Sequence, residues 1–185
     1  MSPPRIAPLA PPYAPEVAEH LEKLMPPGMP PIALFRTVAH NPRVLGRMRR
    51  GGLLDPGSIS VRQREIVILR TTARCGAEYE WGVHVAFFAA AAGLDAAQLA
   101  ATVHGAADDP AWGAEERLLV ALADALHDGA DVPDALWGEL AARFAPGQLV
   151  ELLFLAGLYH AVSFVVNATR VAGEPGAPRF PARGG

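Results

Sequence analysis

Residues 60–94, SVRQREIVILRTTARCGAEYEWGVHVAFFAAAAGL, decide how this chain folds. Ser60 stands three residues before Gln63, the reciprocal spacing of a capping box, and opens a helical run that reaches about Cys75 and stops at Gly76. After one turn a second helix runs over Glu78–Ala92 and ends at Gly93, a residue that accepts the left-handed cap conformation. A turn this short folds the two helices antiparallel.

The helical period extends outward from this pair. Asp95 and Gln98 repeat the capping spacing at the next helix, and a polar loop around Asp108 to Pro110 precedes helical segments over Glu115–Leu126, Pro133–Phe144 and Gln148–Val171. On the N-terminal side, Glu16–Met25, Pro31–Ala39 and Arg43–Arg50 are short helices, the last two separated by Asn41-Pro42. No run alternates with the period of a strand, so the fold class is all-α. Pro3, Pro4, Pro8, Pro11 and Pro12 make residues 1–13 an extended arm, residues 14–172 the helical domain, and residues 173–185, of similar composition, a flexible tail.

Composition narrows the function classes. The 185 residues suffice for one domain, and 51% hydrophobic with 19% charged residues supply a core. A net charge of -3 argues against a nucleic-acid coat or an anionic membrane surface, and leaves small molecules as the expected partners. Fifteen Arg against the single Lys23, with abundant Ala, Gly and Pro, point to a high-GC bacterial genome. The one cysteine, Cys75, has no internal disulfide partner, and the proline-rich start lacks the apolar run of a signal peptide, so the expected compartment is the cytoplasm. The longest apolar stretch, Leu152 to Val166, contains His160 and is shorter than the roughly 20 residues of a membrane span, which makes it a buried helix.

The functional side chains concentrate in Cys75-Gly76-Ala77-Glu78-Tyr79-Glu80-Trp81-Gly82-Val83-His84. Glu80 and His84, four apart, share a helix face, where a carboxylate orients an imidazole and raises its basicity. Glu65, on the preceding antiparallel helix, reaches the same place if the helices lie side by side. Trp81, Phe87 and Phe88 flank the pair on a largely apolar helix, where an ionisable group is costly unless it is paired.

The run Leu69-Arg70-Thr71-Thr72-Ala73-Arg74, then Glu78-Tyr79-Glu80-Trp81 with His84, then Ala89 to Leu94, resembles the central motif of the carboxymuconolactone decarboxylase family, whose best-known relatives are the alkylhydroperoxidase D-like proteins. Leu152 to Tyr159 followed by Asn167 resembles the closing helix of that family, and the likeness spans roughly residues 30–173. It implies an AhpD-like helical bundle assembled as a homo-oligomer, whether trimer, hexamer or dimer. In the peroxidase branch a Cys-x-x-Cys pair precedes the motif histidine. Aligned on His84, those cysteines fall on Ala77 and Glu80, so both are missing, while the relay glutamate falls on Glu65. The likeness therefore implies the branch without a cysteine pair: a lyase or isomerase that uses Glu/His acid-base chemistry, with neither metal nor organic cofactor, on a small carbonyl or lactone acid such as arises in aromatic catabolism.

The expected catalytic set is Glu65, Glu80 and His84, with His84 as principal base or acid, Glu80 orienting it and Glu65 as second proton carrier. Tyr79 is either an oxyanion donor or a structural tyrosine. Arg70 and Arg74 are candidates for a substrate carboxylate, with ion pairs to Glu78 as the alternative. Tyr159 and His160 belong to the candidate substrate-binding set, His160 also reading as a core histidine. Glu80 and His84 amount to half a metal site with no third ligand at a diagnostic spacing, and Cys75 reads as a small core residue. Two rival functions stay open: a divergent peroxidase using Cys75 with an external thiol, and a helical binding scaffold without catalysis.

Overall fold

The computed structural model describes residues 3–182, which form nine helices and no strand. They are α1 (Pro15–Leu24), α2 (Ala33–Val38), α3 (Pro42–Arg50), α4 (Val61–Arg74), α5 (Glu78–Ala92), α6 (Ala96–His104), α7 (Ala114–Gly129), α8 (Asp134–Arg143) and α9 (Pro146–Thr169). Both expected capping boxes form, Ser60 with Gln63 and Asp95 with Gln98. Gly76 and Gly93 hold φ of 63° and 64°, the left-handed region in which a Cβ is penalised. The closing helix starts two residues before the expected Gln148, because Pro146 suits a first turn and Gln148 accepts from the Ala145 amide.

Helix α4 is the axis of the fold. Ile66, Val67, Ile68 and Leu69 are all fully buried, since α5, α6, α7 and α9 surround it. Burying each such side chain stabilises the fold by about 1.5–3 kcal/mol relative to leaving it in water. Total enclosure also takes in the charged residues of α4, and each finds a partner: Arg64 pairs with Glu65, Glu65 with His84, and Arg70 with Asp124 on α7. On α5, the Trp81 indole donates to Thr102 Oγ1 at 2.9 Å and so fixes α5 against α6. A smaller cluster of Val17, Leu21, Ala39 and Leu45 binds α1 to α3.

Helix α9 is the one helix among the described residues that is long and apolar enough to cross a membrane. At 24 residues it exceeds the run counted from the sequence, but Leu149, Leu152, Leu155, Ala156, Tyr159, Val162 and Val166 bury one face of it inside the domain. Val150, Phe154 and Phe164 lie on the opposite face, each about two thirds exposed.

The described parts of both termini are tied to the helices. In the proline-rich arm, the Arg5 amide donates to Thr169 O and the Leu9 amide to Arg36 O. Residues 173–182, expected to be flexible, run instead as a strap over α5, whereas residues 183–185 of that expected tail lie outside the described residues. The Phe180 ring meets Trp81 edge-on at 5.5 Å, and the Phe180 amide donates to Glu78. His104 Nε2 donates to Pro181 O at 2.6 Å. Gly82 makes the close approach possible, because a Cβ there would sit 2.1 Å from Pro178 O. Proline-rich composition suggested mobility, but the apolar ring of Phe180 and the bare backbone at Gly82 give this segment a seat.

Candidate active site

The antiparallel turn at Gly76 brings Glu65 on α4 against His84 on α5. Glu65 is completely buried; its Oε2 accepts from His84 Nδ1 at 2.8 Å and its Oε1 from Arg64 Nε at 2.9 Å. On the other side of the imidazole, Nε2 lies 3.5 Å from Glu80 Oε1. Glu80 Oε2 is buried and has no hydrogen-bond partner among the described residues. Glu65 is therefore the tight partner of His84 and Glu80 the loose one, the reverse of the order expected from spacing along α5. Aromatic rings confine the imidazole: Tyr159 is edge-on at 4.9 Å and Phe88 tilted at 5.3 Å.

Charge settles the resting state of this cluster. Burial by itself would push the His84 pKa down, but hydrogen bonds to Glu65 and Glu80 and their negative charges outweigh it and raise it to about 9. At neutral pH the imidazole is a cation between two carboxylates, and Arg64 balances the second of them. Arg64 also lies 5.0 Å over the Phe88 ring and donates to Leu54 O, so the group is neutral as a whole and firmly held. Burial also pushes the Tyr159 phenol up, with the Glu80 and Glu65 charges adding to it, and the phenol stays protonated.

His84 and Glu80 open on a cavity of about 530 Å³. Phe35, Met48, Phe87, Phe88, Leu158 and Val162 are among its mainly apolar walls, and Lys23 borders it with its ammonium paired to Glu19 at 2.6 Å. Much of the wall comes from the N-terminal helices and loops, so the small cluster of α1–α3 completes the site. A concave apolar space with a few convergent polar groups is the usual form of a small-molecule pocket.

Several expected site residues lie elsewhere. Tyr79 does not line this cavity; its hydroxyl donates to Glu174 on the strap at 2.6 Å and accepts from the Leu34 amide, so its one proton is committed and it is structural. Arg70 is not a substrate ligand: its guanidinium pairs bidentately with Asp124 at 2.6 and 2.9 Å and donates to Thr102 O and Gly105 O. Arg74 pairs with Asp124 and Asp128, and the Glu78 alternative fails for both arginines because Glu78 faces Arg179 and the strap. Tyr159 keeps its expected place in the cavity wall, but His160, one residue on, turns away to lie 3.2 Å from His127. Cys75 is half-buried at that same locus rather than in the core.

The sequence offered no sign of two residues that matter here. Arg64, which neutralises Glu65, has no distinctive spacing, and the place of Lys23 beside the cavity depends on how α1 packs. His127 stands 52 residues from Cys75, and only the tertiary fold joins them.

The family model described as the carboxymuconolactone decarboxylase family matches residues 42–125, a stretch that contains Glu65, Glu80 and His84. Among solved structures, an uncharacterized peroxidase-related protein from Silicibacter sp. TM1040 is similar at a TM-score of 0.80 and 17% identity, covering 98% of this chain and 99% of that one. At that identity the likeness is one of fold. No curated protein matches the chain. The helices around α4, the buried histidine of α5 and the matched stretch agree, and residues 42–125 of this all-α chain match the model of the carboxymuconolactone decarboxylase family.

Proposed function

We propose that the protein is a cofactor-free lyase or isomerase that moves protons on a small carbonyl or lactone acid at Glu80 and His84. The observation that carries this reading is the buried Glu65–His84–Glu80 cluster facing an apolar cavity, with Glu80 Oε2 left without a partner among the described residues. The convergence of all three groups in a buried place argues against a scaffold without catalysis, since a buried charge cluster is costly to keep. The thiol route has less support, because Cys75 lies outside the cavity.

In this mechanism Glu80 Oε2 takes a proton from the carbon beside a carbonyl, and the His84 imidazolium stabilises the enolate oxygen that forms. Return of that proton to a different carbon isomerises the substrate. Where the substrate carboxylate departs as carbon dioxide, the electron pair of the broken C–C bond forms the enolate, which takes a proton from His84 Nε2; solvent returns that proton, while Glu65 accepts from Nδ1 and holds the ring. The apolar walls exclude water and strengthen each charge interaction, and the His84 imidazolium is the cation that an acid group meets there. A homo-oligomer in the bacterial cytoplasm, working in aromatic compound breakdown, goes with this reading.

Incubation with a panel of lactone and keto acids, read by mass spectrometry, tests it. Turnover of a panel member by the wild type, lost in His84→Ala while the helical circular dichroism is retained, is the expected result. Equal turnover by that folded variant would overturn the assignment.

A further inference from the structure

Away from the cavity, the C-terminal cap of α4, the last turn of α7 and the middle of α9 bring Cys75, His127 and His160 together. Cys75 Sγ lies 3.7 Å from His127 Nδ1, and His127 Nδ1 lies 3.2 Å from His160 Nε2. All three donor atoms are within 4.8 Å of one another, and all three residues are half-buried, so an ion has a way in. None of them lines the cavity of His84.

We propose that Cys75, His127 and His160 bind a zinc ion, with one coordination position left open to solvent or a small ligand. A tetrahedral centre with metal–sulfur near 2.3 Å and metal–nitrogen near 2.0–2.1 Å separates sulfur from nitrogen by about 3.6 Å and nitrogen from nitrogen by about 3.3 Å. Two of the three separations, 3.7 and 3.2 Å, fit that geometry. The tautomer of His160 is already set for the task. Its Nδ1 donates to Ala156 O at 2.9 Å, which leaves the Nε2 lone pair directed at the cluster, the usual support of a metal-binding imidazole. The Asn167 side chain donates to Cys75 O at 2.8 Å and anchors the backbone that presents the thiol. A thiolate with two imidazoles selects zinc over magnesium or calcium, which prefer oxygen donors. Three protein ligands leave zinc a fourth position, the form that exchangeable and catalytic sites take.

Titration of the metal-free, untagged chain with Co²⁺ tests the site, because the thiolate-to-cobalt charge-transfer band reports Cys75 alone in a protein with one cysteine. The expected result is a band that saturates at one Co²⁺ per chain and is displaced by Zn²⁺. It is absent in Cys75→Ser, and in His127→Ala and His160→Ala binding weakens by more than the roughly 10–100-fold that losing a supporting group costs a metal site. His84→Ala retains the band. Absence of a band in the wild type, or a band undiminished in both histidine variants, would overturn the proposal. Should the variants fail the circular dichroism check, X-ray absorption of the zinc-loaded wild type decides: one sulfur and two imidazoles support the site, and a shell without sulfur sinks it.

Discussion

The imidazolium held between Glu65 and Glu80 makes stability depend on pH in a window where few other groups titrate. Its folded pKa of about 9 lies above the ordinary 6.5, so the folded chain holds the proton more tightly than the unfolded one. The resulting stabilisation is complete below about pH 6.5 and is lost as pH rises through about 9. At about 1.4 kcal/mol for each tenfold change, the loss across that window is about 3 kcal/mol. Neighbouring effects fall outside it. The His127 pKa is lowered, by burial first and then by Arg74 and His160, so its contribution changes only below 6.5. Burial raises Cys75 above its ordinary 9, so it acts at higher pH, as do the raised Tyr79 and Tyr159. Urea unfolding at fixed protein concentration, followed by far-ultraviolet circular dichroism at several pH values from 6 to 9, measures the slope. Stability should fall by about 1.4 kcal/mol per pH unit in the steep part, and Glu65→Gln, which removes the 2.8 Å partner, should flatten the curve. A wild-type stability that stays constant or rises from pH 6.5 to 9 would refute the charged state assigned to His84.

Two further substitutions test the structural reassignments. Arg70→Met takes from Asp124 its bidentate partner, leaving Arg74 at 3.5 Å, and from two carbonyls their donor, and should cost about 3 kcal/mol in unfolding free energy without altering ligand binding by the folded fraction; a loss confined to binding would restore Arg70 to the substrate site. Gly82→Ala forces the strap off α5, since the new Cβ overlaps Pro178 O. Limited proteolysis should then cut within 173–182 where the wild type resists, and an unchanged digestion pattern would contradict the seating of the strap.

What could be read in the sequence was what local physics controls. The capping boxes at Ser60 and Asp95 and the glycines at 76 and 93 punctuate the central helices with backbone chemistry that operates within four residues. The pairing of Glu80 with His84 follows from helical spacing, and that of Glu65 with His84 from the short turn between their helices. The assignments that failed depended on contacts made far along the chain. Arg70 and Arg74 sit beside the motif in sequence, yet a helix points each side chain in its own direction, and theirs face α7, where Asp124 and Asp128 wait. Tyr159 and His160 are neighbours in sequence but project about 100° apart around α9, so one reaches the cavity and the other the Cys75 cluster. Tyr79 is claimed by Glu174, a residue of a segment whose composition suggested no structure at all.

The most direct test of proton transfer at Glu80 and His84 is hydrogen–deuterium exchange at the carbon beside the carbonyl of a bound keto or lactone acid, followed by proton NMR in deuterated buffer. The wild type should accelerate that exchange, and Glu80→Gln and His84→Ala should each slow it by roughly 10²–10⁴-fold while binding the acid. Exchange at the wild-type rate in both folded variants would contradict the role assigned to this site.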